Sequence, residues 1–229
     1  MNEPNAGYAG SHGTQRAFPA RVVFEPPQRF ERSQLLLRIL VMILLSGLHQ
    51  PFGGISCALY FILPVVAAVL ISQRGGSQFL ASDMHWMHSA LEWVVGLFAY
   101  LMLVTDRIPL GPSQRLVRLE VQPQGTPSVA TALFRFFTSL PHLIVLFVLG
   151  IISGLIWLYA ALSVLFTEQY PYALQKFQRG ILAWIARVLV YHGSLVEDYP
   201  PFAFDDDGPT HRLLEDDGPA SASSEGHDA

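Results

Sequence analysis

The feature that most constrains the fold is an apolar run from Pro141 to Phe166 that contains no Asp, Glu, Lys or Arg. A helix of this length exceeds the roughly 20 residues that cross the hydrocarbon layer of a bilayer. A second uncharged run extends from Ile55 to Ser72, with Pro64 near its middle. A membrane helix tolerates such a proline when neighbouring groups satisfy the freed carbonyl. Both runs predict that lipid, rather than water, is the medium of this chain.

The composition agrees with a membrane protein, because 51% of the residues are hydrophobic and only 14% are charged, against about a quarter charged in a soluble domain. Two further apolar segments contain a single charge each, Glu92 in the first and Arg187 in the second. We therefore predict an all-α membrane protein with four transmembrane helices, over about 55–72, 87–105, 141–166 and 180–196.

Shorter elements flank these four segments. Two Arg-bearing apolar helices, 33–49 and 129–139, are predicted to lie at the membrane interface. Short strands are predicted at 20–25 and 118–122, each followed by proline. The tails have the low hydrophobicity of disordered segments, and they comprise residues 1–18 and the acidic residues 205–229.

The two halves of the chain resemble each other. Arg21 to Arg38 aligns with Arg118 to Arg135 without a gap, and Trp93 and Tyr100 recur as Trp184 and Tyr191. Such similarity indicates one structural unit used twice, and we place the two units at 19–110 and 111–204. Because each unit contains two spans, the units should have the same orientation, as a parallel repeat about an axis along the membrane normal.

Both halves resemble the domain of unknown function 4389 family of bacterial membrane proteins. The first half carries the likeness from Leu36 to Ile43 and from Trp93 to Pro109. The resemblance implies two tandem copies of the family unit and a membrane location, but no activity. In the second half the motif residues are Arg135, Pro141, His142, Tyr170, Pro171, Asp198, Tyr199, Pro200, Pro201 and Phe202.

Arginine placement predicts the orientation. With four spans, the N-terminus, the 106–128 connection and the C-terminus share one side, which holds more Arg and Lys than the two opposite loops. The positive-inside rule places that side in the cytoplasm. We expect a multi-pass protein of the bacterial cytoplasmic (inner) membrane with both termini cytoplasmic. The two strands then lie on the same side, and we predict that they pair.

Glu92 and Arg187 are the sharpest candidates for a functional site. A charge near the bilayer centre costs about 2.5–3.5 kcal/mol on insertion scales, so such residues usually face the bundle and pair. One hypothesis is an ion pair that locks the bundle, and another is a polar site on a substrate path. A third interpretation is that each side chain simply reaches the interface.

A metal site is a weaker hypothesis. His85, His88 and Glu92 fall on one helical face, with Asp83 just before them, and imidazole and carboxylate are ordinary zinc ligands. A polar helix start at the membrane surface explains the same pattern, and the second half has no matching set. We therefore predict no metal and no cofactor.

The function predicted from these features is a non-enzymatic accessory or scaffold subunit that binds a membrane or cytosolic protein. The alternative is a small transport or lipid-handling module built around Glu92 and Arg187, and a metal-dependent membrane enzyme ranks last. Gly150 and Gly154 have the spacing that permits close helix approach, within the chain or in a homo-oligomer. No basic face invites nucleic acid.

Overall fold

The computed structural model describes residues 18–25, 30–46, 51–109 and 117–204. The predicted disordered tails therefore lie outside the described residues, apart from Phe18. The elements, in chain order, are β1 (Ala20–Phe24), α1 (Arg32–Ser46), α2 (Pro51–Arg74), α3 (Gly76–Gln78), a π-helical turn (Phe79–Asp83), α4 (Met84–Leu101), β2 (Val117–Val121), α5 (Val129–Thr138), α6 (Leu140–Thr167) and α7 (Tyr172–His192).

Helices α5, α6 and α7 begin at residues suited to a helix start. The Ser128 hydroxyl accepts a hydrogen bond from the Thr131 N–H, and the Thr131 hydroxyl accepts one from the Ser128 N–H, which satisfies two N–H groups at the start of α5. Pro141 lies in the first turn of α6 and Pro171 caps α7. A missing N–H costs nothing at these positions.

The two predicted strands pair, as expected, and the pair is antiparallel. Val22 lies opposite Leu119, and Ala20 lies opposite Val121. In the gap-free alignment of the two halves Val22 corresponds to Leu119, so the pairing is centred on equivalent residues. This register gives the sheet a local twofold axis that relates the two strands.

The inner helices α4 and α7 share one hydrophobic core with the buried face of the sheet and run antiparallel to each other. The side chains of Met87 and Leu91, early in α4, fill the space beside Gly193, just after α7. At the opposite end, Leu103 and Tyr170 belong to one apolar cluster. The predicted parallel arrangement is therefore wrong for these helices. The twofold axis of the strand pair reverses the direction of the equivalent helix in the other half.

Two helices of the described chain, not four, are long and apolar enough to cross a membrane, Ile55–Arg74 and Leu140–Thr167. Helices α4 and α7 were predicted as spans because they are apolar, but their apolar residues form the protein's own core. After each of them the chain folds back along the helix. Pro109 lies beside Gly96 of α4, and Phe204 lies beside Gly180 of α7.

Helices α2 and α6 keep most of their apolar surface outside the core. In α6 the side chains of Phe147, Leu155 and Phe166 are 72%, 67% and 74% exposed. Gly150 and Gly154 also lie on open surface, since no atom of the described chain comes within 4 Å of an added Cβ. Their spacing therefore does not serve helix packing within the described chain, and contact with a second copy stays a prediction.

The strand register can be tested by disulfide formation. In a chain with Cys57→Ala, we expect Arg21→Cys and Glu120→Cys to form a disulfide readily, because these residues are directly opposed and Cα atoms of opposed residues lie within bonding range. The diagonal pair Arg21→Cys and Arg118→Cys should cross-link poorly, because such neighbours lie about 7–8 Å apart. Equal yields for both pairs, measured by non-reducing gel, would rule out this register.

Candidate functional site

Arg135 is a buried cation whose donors go to the end of helix α7. Its side chain is 4% exposed, and its guanidinium lies 4.4 Å above the Tyr191 ring centre. Nη1 donates to the carbonyl oxygens of Tyr191 and Val196, the latter at 2.7 Å. Carbonyls at a helix end have no partner within the helix, so this arginine acts as a structural cap.

The chain after α7 is shaped to receive that cap. Ser194 has the left-handed backbone conformation, with φ 60°. Its N–H donates to the Tyr191 carbonyl, and the Leu195 N–H donates to the Val190 carbonyl. This is the Schellman pattern of helix ends, here with serine in place of the usual glycine.

Arg38 makes the corresponding arrangement at the end of α4. Its side chain is fully buried, its guanidinium lies 4.4 Å above the Tyr100 ring centre, and Nη2 donates to the Thr105 carbonyl at 2.7 Å. Leu103 has φ 62°, and its N–H donates to the Tyr100 carbonyl. The two arginines that align in the sequence therefore occupy matching sites.

Arg38 differs from Arg135 in its unused donors. Its Nε and Nη1 atoms find no hydrogen-bond partner among the described residues, and the Asp106 carboxylate is 3.9 Å away. Burial lowers the pKa of Arg38 to about 10, which still leaves the guanidinium charged near neutral pH. Burial raises the pKa of Asp106, against the effects of the Glu31 N–H and of Arg38.

The second half closes with an aromatic segment, Asp198–Phe202. The Phe202 ring stacks on His142 at 4.0 Å between centres, and the Tyr199 hydroxyl donates to the Thr138 carbonyl at 2.9 Å. Trp184 Nε1–H donates to His142 Nδ1 at 3.0 Å. The Pro200–Pro201 pair thus directs two aromatic side chains onto helices of the same chain.

Tyr170, which precedes the α7 cap Pro171, contacts the first half of the chain. The Tyr170 ring packs edge-on against Phe30 at 5.6 Å, and burial raises the pKa of its phenol. The residue therefore belongs to the interface between the second half and the segment that precedes α1.

Glu92 and Arg187 lie on the two inner helices, as expected. Arg187 is 6% exposed and donates through Nη2 to the Ala203 carbonyl. A Glu92 carboxylate oxygen lies 3.9 Å from His88 Nδ1. The ion pair between Glu92 and Arg187 stays a prediction.

Two of the proposed metal ligands, His88 and Asp83, have other partners in the part of the chain that the structure describes. Within it no group of three or more His, Cys, Asp or Glu residues could hold a metal ion. His88 Nε2 lies 2.5 Å from the Leu119 carbonyl, and Asp83 pairs with Arg74 at 2.5 Å. His88 therefore links α4 to the sheet.

Sequence reasoning missed the buried histidine at the end of α7. His192 stacks on Tyr60 with ring centres 4.7 Å apart, and its Nε2–H donates to the Tyr60 carbonyl at 2.9 Å. The sequence does not indicate this contact, because Tyr60 lies in the apolar run of α2 and nothing in that run distinguishes it as the partner of a distant histidine.

His192 predicts acid sensitivity. Burial lowers its pKa from 6.5 to about 4, while the bond to Tyr60 opposes that shift. Between these values the unfolded chain binds more protons than the folded one, so stability falls as the pH drops from about 6.5 to 4, by up to about 3 kcal/mol. Acid unfolding in detergent micelles should show this loss. His192→Gln, which keeps a donor but does not titrate, should reduce it, and an unchanged acid profile would contradict the assignment.

Comparison with known families matches one part of the chain. The model of the family described as Domain of unknown function (DUF4389) matches residues 130–203, the part that holds Arg135, His142 and the Asp198–Phe202 segment. One copy is matched, not the two expected from the sequence. No curated protein and no solved structure matches the chain. Residues 130–203 are thus similar to a family with no assigned function.

Proposed function

We propose that this protein is an integral membrane protein that serves as a non-enzymatic accessory or scaffold subunit. The observation that carries the proposal is that the buried charged side chains have structural partners within the chain. The buried arginines Arg38 and Arg135 donate to backbone carbonyls of their own chain, as structural groups do. Helices α2 and α6 meanwhile present apolar surface outward, which suits lipid or another membrane protein.

The experiment is gentle detergent extraction of the full chain from its native membrane, followed by native mass spectrometry. We expect a defined complex in which this chain and a second protein keep a fixed ratio across detergents. A particle that contains only this chain and lipid in each detergent would contradict the accessory-subunit proposal.

A lipid-handling module is the second candidate, favoured by one observation. Arg38 buries two donor nitrogens, Nε and Nη1, for which no described residue provides an acceptor, and an anionic headgroup oxygen would satisfy them. Lipid mass spectrometry of the purified chain should then show a retained anionic lipid that Arg38→Met removes and Arg135→Met keeps. Equal lipid content in both variants would exclude this role for Arg38.

We also propose that residues 19–110 are a diverged second copy of the unit matched at 130–203. Three features support it: the matching arginine caps, the two left-handed residues after α4 and α7, and a strand register centred on equivalent residues. Arg38→Met and Arg135→Met should then lower the free energy of unfolding by similar amounts. A negligible effect of Arg38→Met would argue against equivalence.

The location follows the same reasoning. We place the protein in a bacterial cytoplasmic membrane with its termini and sheet on the cytoplasmic side, supported by the Arg-rich sequence around β1 and β2.

A further inference from the structure

The strand pair restricts how the chain meets the membrane. Strands β1 and β2 are hydrogen-bonded to each other, so both lie on the same side of a bilayer. The chain between them contains α1, α2 and α4. Helix α1 has 15 residues, about 22 Å, and is too short to cross a hydrocarbon layer of roughly 30 Å, which leaves α2 and α4 as the candidate spans. The chain must therefore cross the bilayer an even number of times between the strands, with both of these helices as spans or with neither.

Helix α4 does not have the surroundings of a span. The non-helical chain that follows it lies along the helix, with Pro109 beside Gly96 and the Leu119 carbonyl 2.5 Å from His88 near the helix start. Non-helical backbone occurs at membrane depth only where protein covers it, whereas Arg118 and Glu120 of β2 are exposed beside α4. If α4 is not a span and α1 is too short to be one, α2 cannot cross either.

The charges on the sheet support the same conclusion. Arg21 and Glu120 form an ion pair at 2.5 Å, with side chains 53% and 51% exposed, and the sheet packs on α4 and α7. An orientation with the inner helices along the membrane normal would place this pair at the depth of the hydrocarbon layer. Exposed charges at that depth cost about 2.5–3.5 kcal/mol each, whereas a sheet that faces water incurs no such cost.

Both ends of α6 are also tied to the sheet side. At its end, Glu168 pairs with Arg32 at 3.1 Å, and Arg32 begins the helix that follows β1. At its start, only α5 and a short segment separate it from β2. A 28-residue helix held in this way lies along the membrane rather than through it.

We propose that the protein is monotopic. Helices α2 and α6, with the apolar faces of α1 and α5, lie in one leaflet, while the sheet faces water on the same side. The partner of this surface is the acyl-chain layer of a lipid bilayer. Its most exposed side chains include Leu36, Phe134, Phe137, Phe147 and Phe166. This inference deepens the membrane location proposed above and rests on it.

Cysteine accessibility tests the proposal. Single cysteines are placed in full-length Cys57→Ala protein at Glu120 in β2, at Ser77 after α2 and at Gln169 after α6, all exposed positions. Spheroplasts and inverted membrane vesicles are then treated with a membrane-impermeant maleimide. We expect all three cysteines to react from the same side only. Reaction of Ser77→Cys or Gln169→Cys from the side opposite Glu120→Cys overturns the monotopic arrangement.

The unchanged chain provides a further measurement, because its Cys57 lies on the exposed surface of α2. We expect this thiol to stay unmodified in both preparations until detergent removes the lipid. Rapid reaction in membranes without detergent overturns the burial of α2 in lipid. If the chain is instead recovered in the soluble fraction, the membrane location itself fails, so the two failures are distinguishable.

Discussion

Replacing Arg135 with methionine should lower the free energy of unfolding by about 2–4 kcal/mol, because hydrogen bonds from a charged donor contribute about 1.5–3 kcal/mol each. The substitution leaves the Val196 carbonyl, just after α7, without its donor and removes one of the two donors to the Tyr191 carbonyl. A buried carbonyl without a partner costs about 1–3 kcal/mol. It also removes the cation from the Tyr191 ring. Chemical unfolding in detergent micelles, followed by tryptophan fluorescence, measures the change.

Two other substitutions distinguish the loss of the Arg135 hydrogen bonds from the loss of a positive charge in general. Arg135→Lys should recover only part of the stability, because a lysine ammonium does not reproduce the planar fork of a guanidinium. Lys176→Met, at an exposed position of α7, should change stability by no more than about 0.5 kcal/mol. A loss below about 1 kcal/mol for Arg135→Met would show that the carbonyls find other partners.

Replacing Trp184 with alanine should cost about 3–5 kcal/mol, as is usual for a buried Trp. Its side chain is 3% exposed, its N–H donates to His142, and the rings of Phe202 and Phe204 lie 5.5 and 5.6 Å away. The substitution would leave a cavity between His142, Phe202 and Phe204 and would remove the contacts that hold the segment after α7 against the helices. Thermal unfolding of the purified protein measures the loss.

The chain contains a matched control for this prediction. Trp93 occupies the aligned position in α4 but is 47% exposed. Trp93→Ala should therefore cost less than about 1 kcal/mol, in the range of surface substitutions. Equal losses for the two variants would contradict the burial difference between the halves.

Local features of the fold could be predicted from the sequence. The strands around Arg21 and Arg118, the break at Pro123 and the alignment of Arg38 with Arg135 all depend on residues close together in the chain. The structure places both arginines at the end of an inner helix. The stacking on Tyr100 and Tyr191 was within reach, since these residues also align.

The orientation of the halves could not be predicted in this way. An apolar helix has the same composition whether its neighbours are lipid or protein, so α4 and α7 were predicted as spans. Only contacts between distant residues, such as Met87 with Gly193, show that the two helices are antiparallel and internal. The charges of Glu92 and Arg187 pointed to internal helices, because a charged side chain is more stable among protein groups than in lipid.

The aromatic ending was only partly understood from the sequence. Its prolines predicted a stiff segment after α7, and the interface seemed a sufficient role for Tyr199 and Phe202. The structure instead packs both rings against His142. Which side chains a stiff segment covers depends on where it folds back, and no local pattern encodes that direction.

Membrane association of the full chain is the most direct test of this description. Membranes that contain the protein are washed at alkaline pH, and the chain is then assayed in pellet and supernatant. We predict that it stays in the pellet until detergent is added, because α2 and α6 bury their apolar surface in lipid. Recovery of a folded, monodisperse chain from the supernatant would contradict that description.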